Sequence, residues 1–550
     1  MPGHRREGIP GQTDLNMVFT LQRYIFRELF RIFVLATVGL TLILSLGGIL
    51  SPVQEYGVGP QQVVHILLYF MPITLTFVLP MAALFASALA YGRFAGDNEL
   101  DACRASGIGM PTLVYPGLAL AVFVAIANLL LSFHVMPYFV HLAEKSLKAD
   151  AKQILFRNIQ RKGFYSLPPE GRYLIYADHA DLKTDALSGI VVVQRDEGTI
   201  KRIITSELTK VKFDPKDKYN EVQLTIYNSK QMGDAADDLW WQTQLLSLKK
   251  EFGSLLGDDI KFKKIDEMKR IRVDLMQFDP VAKMVRAAHT QLVTELLAKD
   301  LRARLGSSPV AFYRLNGPDR TVRFSAPGCS VDKEADITLA GPVVVEEYDS
   351  HSGECLRRLR CGKAEIHVEV DPVSLVPALS LDLFSPRVEE TSLQLVRCVV
   401  DGLVLPTAVA QGLAGESLLD IVEPNNVAAL LGGPPSAILA KQQEELIEES
   451  TDTLTDIRAE INSRLVFGIG CIPMILIGIG LGILQRGGHL LSAFGASCLP
   501  AAVLVVAIMS GKNITKNAGA EGPSGAAIMW GGLAFLMVLT AFIYRKLSRS

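Results

Sequence analysis

The chain has 550 residues, 49% of them hydrophobic and 20% charged, with mean hydropathy +0.27, which is too apolar for a single water-soluble domain and too charged for a membrane bundle alone. A formal net charge of −2 excludes nucleic-acid binding by bulk electrostatics. The two phases, hydrocarbon and water, must therefore alternate along the sequence.

Residues 1–16 are polar and rich in Gly and Arg, and are expected to form a disordered tail; Met17 opens the structured part. No cleavable signal peptide is expected, because the first apolar run is long and lacks a small-residue cleavage site. That run, Ile32–Leu50, carries no charge and is long enough to cross about 30 Å of hydrocarbon as a helix. Val63–Tyr91 and Leu113–Val135 supply two more spans, and Pro72, Pro80 and Pro116 predict kinks in them rather than ends. Leu465–Leu484, Leu490–Met509 and Ala526–Tyr544 complete a three-plus-three set.

Between the second and third spans lies a polar island, Gly92–Pro111, GRFAGDNELDACRASGIGMP. It predicts a short helix from Asn98 to Ser106, with Asp97 as N-cap, Glu99 in the first turn, and Gly107 followed by Pro111 as the stop. Gly96, Leu100, Cys103 and Gly107 make a small apolar stripe beside a polar one of Asp97, Asp101 and Arg104. Such a helix suits docking into a groove on a soluble partner.

Basic residues set the orientation. Arg23, Arg27, Arg31, Arg93, Arg104, Arg486, Arg545, Lys546 and Arg549 share one side if the N-terminus is inside, while Ser51–Gln62 has no Lys or Arg. Lys512 and Lys516 run against this trend. Both termini and the island are then cytoplasmic, and the region from about 137 to 460 lies outside.

The outer region is β-rich, with strands expected at Arg172–Asp178, Gly189–Gln194, Glu221–Asn228, Gly341–Tyr348 and Ala364–Val370. Dispersed short strands suggest a sandwich or jelly roll. Helical spacing of Val281, Met284, Val285, Ala288, Leu292 and Leu296 predicts a helical insertion over 280–305, dividing the region into two lobes. Pro435–Arg464 reads as a charged helix leading to the fourth span.

Cys329, Cys355, Cys361 and Cys398 can pair if the outer region is oxidised, and their spacing fits no common zinc pattern, so no metal is expected. No phosphate loop, HExxH, GxSxG or dinucleotide fingerprint is present, so any energy for transport must come from another protein. The span cores hold almost no ionisable residues, which argues against ion coupling; His65 and His134 fall near helix ends. Gly478, Gly480 and Gly482 allow close helix packing.

In this order of features, with LQRYIFRELFR, GDNELDACRASGIG, AEINSRLVFGIGCIPMILIGIGLGILQRGG and the pair Glu460 and Arg464, the chain resembles the LptF/LptG family, half-permeases of the lipopolysaccharide-export ABC transporter. The resemblance covers roughly 17–160 and 440–548. It implies an α+β membrane protein: six transmembrane helices, 3+3, with a large β-jelly-roll-like periplasmic domain between helices 3 and 4. In those terms 1–16 is a cytoplasmic tail, 17–136 holds helices 1–3 with a coupling helix at 97–107, 137–460 is periplasmic, and 461–550 holds helices 4–6. The resemblance further implies a separate cytoplasmic ABC ATPase on the coupling helix, a second half-permease, identical or sibling, and a periplasmic bridge or single-span accessory protein. Its substrate would be a lipid, extracted through a cavity between the first and fifth helices of an inner-membrane complex. Glu99 matches the family's coupling glutamate and Arg104 lies in the matching RASG stretch, with Asp101 and Gly107 on the same helix. No catalytic residue, cofactor or substrate-binding residue is assigned. Gly47, Gly48 and Ser51 stand where G-type members carry a substrate-facing lysine, and the outer region is about twice the length of one jelly roll. The alternative is a mechanotransmission or envelope-assembly protein that relays ATPase motion without carrying substrate.

Overall fold

The computed structural model describes residues 10–56, 60–149, 151–166, 173–196, 199–215, 220–233, 241–252, 259–305, 312–331, 336–350, 352–370, 377–389, 394, 397–413, 417–484, 490–517 and 524–549. In chain order the helices α1 (Pro10–Tyr56), α2 (Pro60–Gly96), α3 (Glu99–Ala105) and α4 (Met110–Leu130) lead through a π-helical turn, Leu131–Val135, into α5 (Met136–Ala149) and α6 (Ala151–Lys162). Strands β1 (Phe164–Ser166), β2 (Tyr173–Asp181), β3 (Ala186–Asp196), β4 (Thr199–Pro215), β5 (Asn220–Gly233) and β6 (Trp241–Phe252) follow, then α7 (Ile265–Val273) and α8 (Asp279–Leu305). Next come β7 (Tyr313–Asn316), β8 (Arg320–Ser325), β9 (Gly328–Val331), β10 (Asp336–Asp349), β11 (Cys355–Val370), β12 (Pro377–Phe384), β13 (Arg387–Val388) and β14 (Arg397–Val404). Short helices α9 (Thr407–Gly412), α10 (Leu418–Val422) and α11 (Pro424–Leu431) precede α12 (Ala437–Leu484), α13 (Leu490–Asn517) and α14 (Ser524–Leu547). The chain forms two compact units, 1–269 with 455–550, and 270–454.

Six helices of the first unit are long and apolar enough to cross a membrane. Large apolar side chains stand exposed along them, among them Leu35, Ile43, Leu499, Val538 and Phe542. In water such a surface would drive aggregation, whereas in a bilayer it meets hydrocarbon at no cost. The apolar window of α12 is 72% buried against 22% for those of the first and last spans, so α12 is the axis of the bundle. Each proline expected to kink rather than end a span lies inside a continuous helix, Pro72 and Pro80 in α2 and Pro116 in α4. The tail reading of 1–16 lies outside the described residues up to residue 9; from Pro10 the chain is helical, which corrects it there.

The glycines of α12 explain how tightly that axis is held. A Cβ on Gly482 would sit 2.8 Å from the Ala88 carbonyl oxygen and 3.0 Å from the Gly92 nitrogen, both on α2, and one on Gly478 would sit 2.6 Å from Ser87 Oγ. Gly480 turns instead to Ile543 of α14. The small-residue face is thus used by packing within the chain, backbone against backbone. Gly482→Leu is expected to force α2 and α12 apart at a cost of about 1–3 kcal/mol or more, since α2 backbone cannot rotate away as a side chain can. Thermal unfolding in detergent measures it, with Gly531→Ala, where no atom lies within 4 Å of the added Cβ, as the tolerated control.

Beyond the spans, β1 to β6 form one antiparallel sheet in sequential order. Alternation does the sorting here: Ile190 and Val192 on β3, and Val222, Leu224 and Ile226 on β5, all point into one core with Ile154, Leu155, Phe156 and Ile159 of α6. The expected strands at 172–178, 189–194 and 221–228 all lie within this sheet, one residue of the first excepted, Arg172 being outside the described residues.

In the second unit, β10 pairs with both β8 and β11, and the remaining neighbours β12, β14 and β7 close the ring, so the sheet is a barrel. Tyr313, Phe324, Leu339, Val345, Ile366 and Leu381 are buried in one cluster with Leu297 and Leu301 of α8, so side chains make a packed core rather than a pore. The predicted insertion over 280–305 is α8. Cys329, Cys355, Cys361 and Cys398 are free thiols, and burial pushes the Cys361 thiol up to about 11. Among the described residues no cluster of ligands suits a metal ion.

Candidate functional site

At one end of the bundle the chain leaves α2, turns once and forms α3. The turn corrects the expected cap: Asn98, not Asp97, precedes the helix, in the left-handed conformation (φ 58°), and it makes no side-chain cap. The reason is that α2 continues to Gly96, with the Asp97 amide still donating to the Arg93 carbonyl at 2.9 Å, so the reversal falls on Asn98, a residue that tolerates this conformation. The helix is accordingly Glu99–Ala105, shorter by a residue at each end than the expected Asn98–Ser106.

Its end follows the sequence reading. Gly107 has φ +86°, its amide donates to the Arg104 carbonyl at 2.9 Å, and the Ile108 amide reaches back to the Cys103 carbonyl at 3.1 Å. This paired 6→1 and 5→2 pattern is a Schellman motif, and Cys103 and Ile108 supply its apolar contact by packing on the bundle core. Gly107→Val is expected to cost about 1–2 kcal/mol, because a branched side chain is strained at positive φ. Faster hydrogen exchange at the amides of residues 107 and 108 would report it.

Packing divides the faces of α3. Leu100 is buried and joins the core cluster that holds Tyr91, Phe94 and Leu113, which fixes the helix to the bundle. Glu99 is exposed, Asp101 and Arg104 are half-buried, and Gly107 is exposed, so the structure carries three of the four predicted residues on one seven-residue helix and the fourth in its closing turn. Burial and the neighbouring Glu99 carboxylate together push the Cys103 thiol above its usual range. Just behind α3, Arg93 pairs with Glu28 of α1 at 3.1 Å and lies over the Phe94 ring at 5.5 Å. The base of α3 is therefore tied to two spans.

The opposite end of the bundle carries the other polar cluster, on the Glu460 and Arg464 pair. Arg464 is 3% exposed in its side chain, and its donors are spent in a planar fan: Nε to Glu460 Oε1 at 2.9 Å, Nη1 to the Ser132 carbonyl at 2.9 Å and the Lys263 carbonyl at 3.3 Å, and Nη2 to the Lys261 carbonyl at 2.7 Å. The Phe133 ring covers the guanidinium at 5.6 Å. Ser132 belongs to the π-helical turn, where the ladder of backbone bonds is broken, so Arg464 caps an acceptor that the turn exposes. The second Glu460 oxygen accepts from Lys512, and Lys516 pairs with Asp456 at 2.8 Å. This explains the two lysines that ran against the charge trend: each is matched by a carboxylate of α12. Nearby, His141 holds the Glu267 carboxyl down to about 2, across 3.2 Å. The role of Arg464 as a carbonyl hub was not legible in the sequence, because three of its acceptors are backbone atoms from segments distant in the chain.

Six apolar helices, an anchored helix exposed between spans two and three, and a β-rich region between spans three and four define a multi-pass membrane protein. Residues 23–256 match the family described as Lipopolysaccharide export system permease LptF/LptG, a similarity that supports an LptF/LptG-type permease. The matched stretch takes in α3 and the first β-sheet, while the barrel and the last three spans lie beyond it. No curated protein matches the chain.

Proposed function

We propose that this chain is a half-permease that extracts lipopolysaccharide or a related large amphiphile from the inner membrane and passes it to a periplasmic bridge, driven by a separate cytoplasmic ATPase. The observation that carries the reading is α3: a helix rooted in the core by Leu100 yet presenting Glu99 to solvent, inside the stretch matched to the permease family. A helix held rigidly on one side and free on the other can pass a push from a docked protein into α2 and α4. Basic-residue asymmetry supports placing that end in the cytoplasm, with both termini, and the β-sheets on the periplasmic side. Strand β6 pairs only with β5 among the described residues, and its second edge suits a periplasmic bridge that adds a strand. A second half-permease, identical or sibling, would complete the substrate cavity.

The single 48-residue helix α12 favours a second reading, in which the protein relays ATPase motion to periplasmic partners without carrying lipid. One experiment separates the two. A photoreactive side chain at Leu35 of α1 or Val506 of α13 in membrane-embedded protein is expected to capture lipopolysaccharide; capture of protein alone, at both positions, contradicts transport and favours relay.

A further inference from the structure

Alongside α3 the first unit contains a cavity of about 660 Å³ that neither the coupling argument nor the ion cluster uses. Its walls are the first two turns of α4, Leu476 of α12 and the last turns of α14. Apolar groups dominate, and three of the polar ones are already committed: Thr540 Oγ1 donates to the Leu536 carbonyl at 2.7 Å, Tyr544 Oη to the Leu476 carbonyl at 3.2 Å and Ser548 Oγ to the Arg545 carbonyl at 3.0 Å. An occupant is therefore offered mainly hydrocarbon contact. The flanking surface, Leu118, Phe123, Met537 and Val538, is exposed and apolar, so the mouth opens where the bundle meets lipid tails.

One end of the cavity is different. Leu547 and Ser548 line it, and the same terminal turn carries Arg545, Lys546 and Arg549, all exposed and with no carboxylate in ion-pair distance among the described residues. The other residues at that end are Met110 and Pro111, which begin α4 directly after the turn that closes α3. An apolar slot whose end is lined by a turn bearing three exposed cations matches an amphiphile with a negative headgroup, since each such cation near a membrane surface attracts anionic lipid. The geometry points to a binding site for an anionic phospholipid of the bilayer, its acyl chain between α4 and α14 and its phosphate at Arg545, Lys546 and Arg549. A filled slot would brace the start of α4 and so hold α3 in place for its partner. The site is lined by α4, α12 and α14; lipid binding there does not depend on the transport reading, and only the bracing of α3 rests on the proposed coupling.

The test uses the full chain in nanodiscs doped with a photoactivatable phosphatidylglycerol, and in parallel with phosphatidylcholine bearing the same diazirine chain. Labelled peptides are expected from 110–118 and 537–547, with phosphatidylglycerol favoured by at least about tenfold. Ala541→Trp, which fills the slot, should abolish labelling of both peptides. The variant Arg545→Gln, Lys546→Gln, Arg549→Gln leaves the slot intact and should erase the preference between headgroups; it keeps the test valid if the tryptophan variant does not fold. Equal labelling by the two lipids in the wild type, labelling unchanged by Ala541→Trp in folded protein, or occupation of the slot by a second protein chain would overturn the proposal.

Discussion

Replacing Arg464 with alanine is expected to destabilise the protein by about 3–5 kcal/mol, the cost of leaving one member of a buried ion pair alone. The expectation is this large because the loss is not confined to Glu460. Carbonyls of Ser132, Lys261 and Lys263 lose their donor in the same step, and the π-helical turn loses the group that caps it. Arg464→Lys should recover only part of the loss, since an ammonium cannot span Glu460 and three carbonyls in one plane. Glu460→Gln is expected to be milder than Arg464→Ala, because the guanidinium keeps its carbonyls. Thermal unfolding of the detergent-solubilised protein ranks the three; full recovery of stability by Arg464→Lys would show that the charge, not the fan of hydrogen bonds, is what matters.

Glu99→Lys is expected to act in the opposite way, with little change in stability and a large change in partnership. Glu99 is exposed and forms no ion pair among the described residues, so its reversal costs the fold only the loss of a favourable charge at a helix N-terminus, about 0.3–1 kcal/mol. At a docking surface the same change places a cation where the partner has been met by an anion, and like-charge contacts across an interface cost several kcal/mol. Leu100→Asp tests the other half of the argument. It should unseat α3 from the core and lose both the partner and stability together.

Particular residues show how far sequence reading reached. The spans, the helix over 280–305 and the Gly107 stop were legible because each depends on local pattern: an apolar run, a 3.6-residue period, a glycine where φ turns positive. Asn98 displaced Asp97 because the end of α2, not the start of α3, decides where the chain reverses. The small face of α12 was legible as a face, but its partner was not, since Ala88 and Gly92 on α2 look like any other small residues in an apolar run. Closure of the barrel was hidden for a similar reason. It rests on β10 serving two neighbours and on β14 meeting β7 through Val404 and Asn316, pairings between distant segments that alternation alone does not specify.

The most direct test of the central claim, that another protein's ATP hydrolysis enters through α3, is purification of the tagged full chain and its Glu99→Lys variant from native membranes, with quantification of the ABC ATPase that accompanies each. The account predicts an ATPase bound to the wild type and lost from a variant that inserts and melts normally. An ATPase retained in full by folded Glu99→Lys protein, or absent from the wild type, would contradict it.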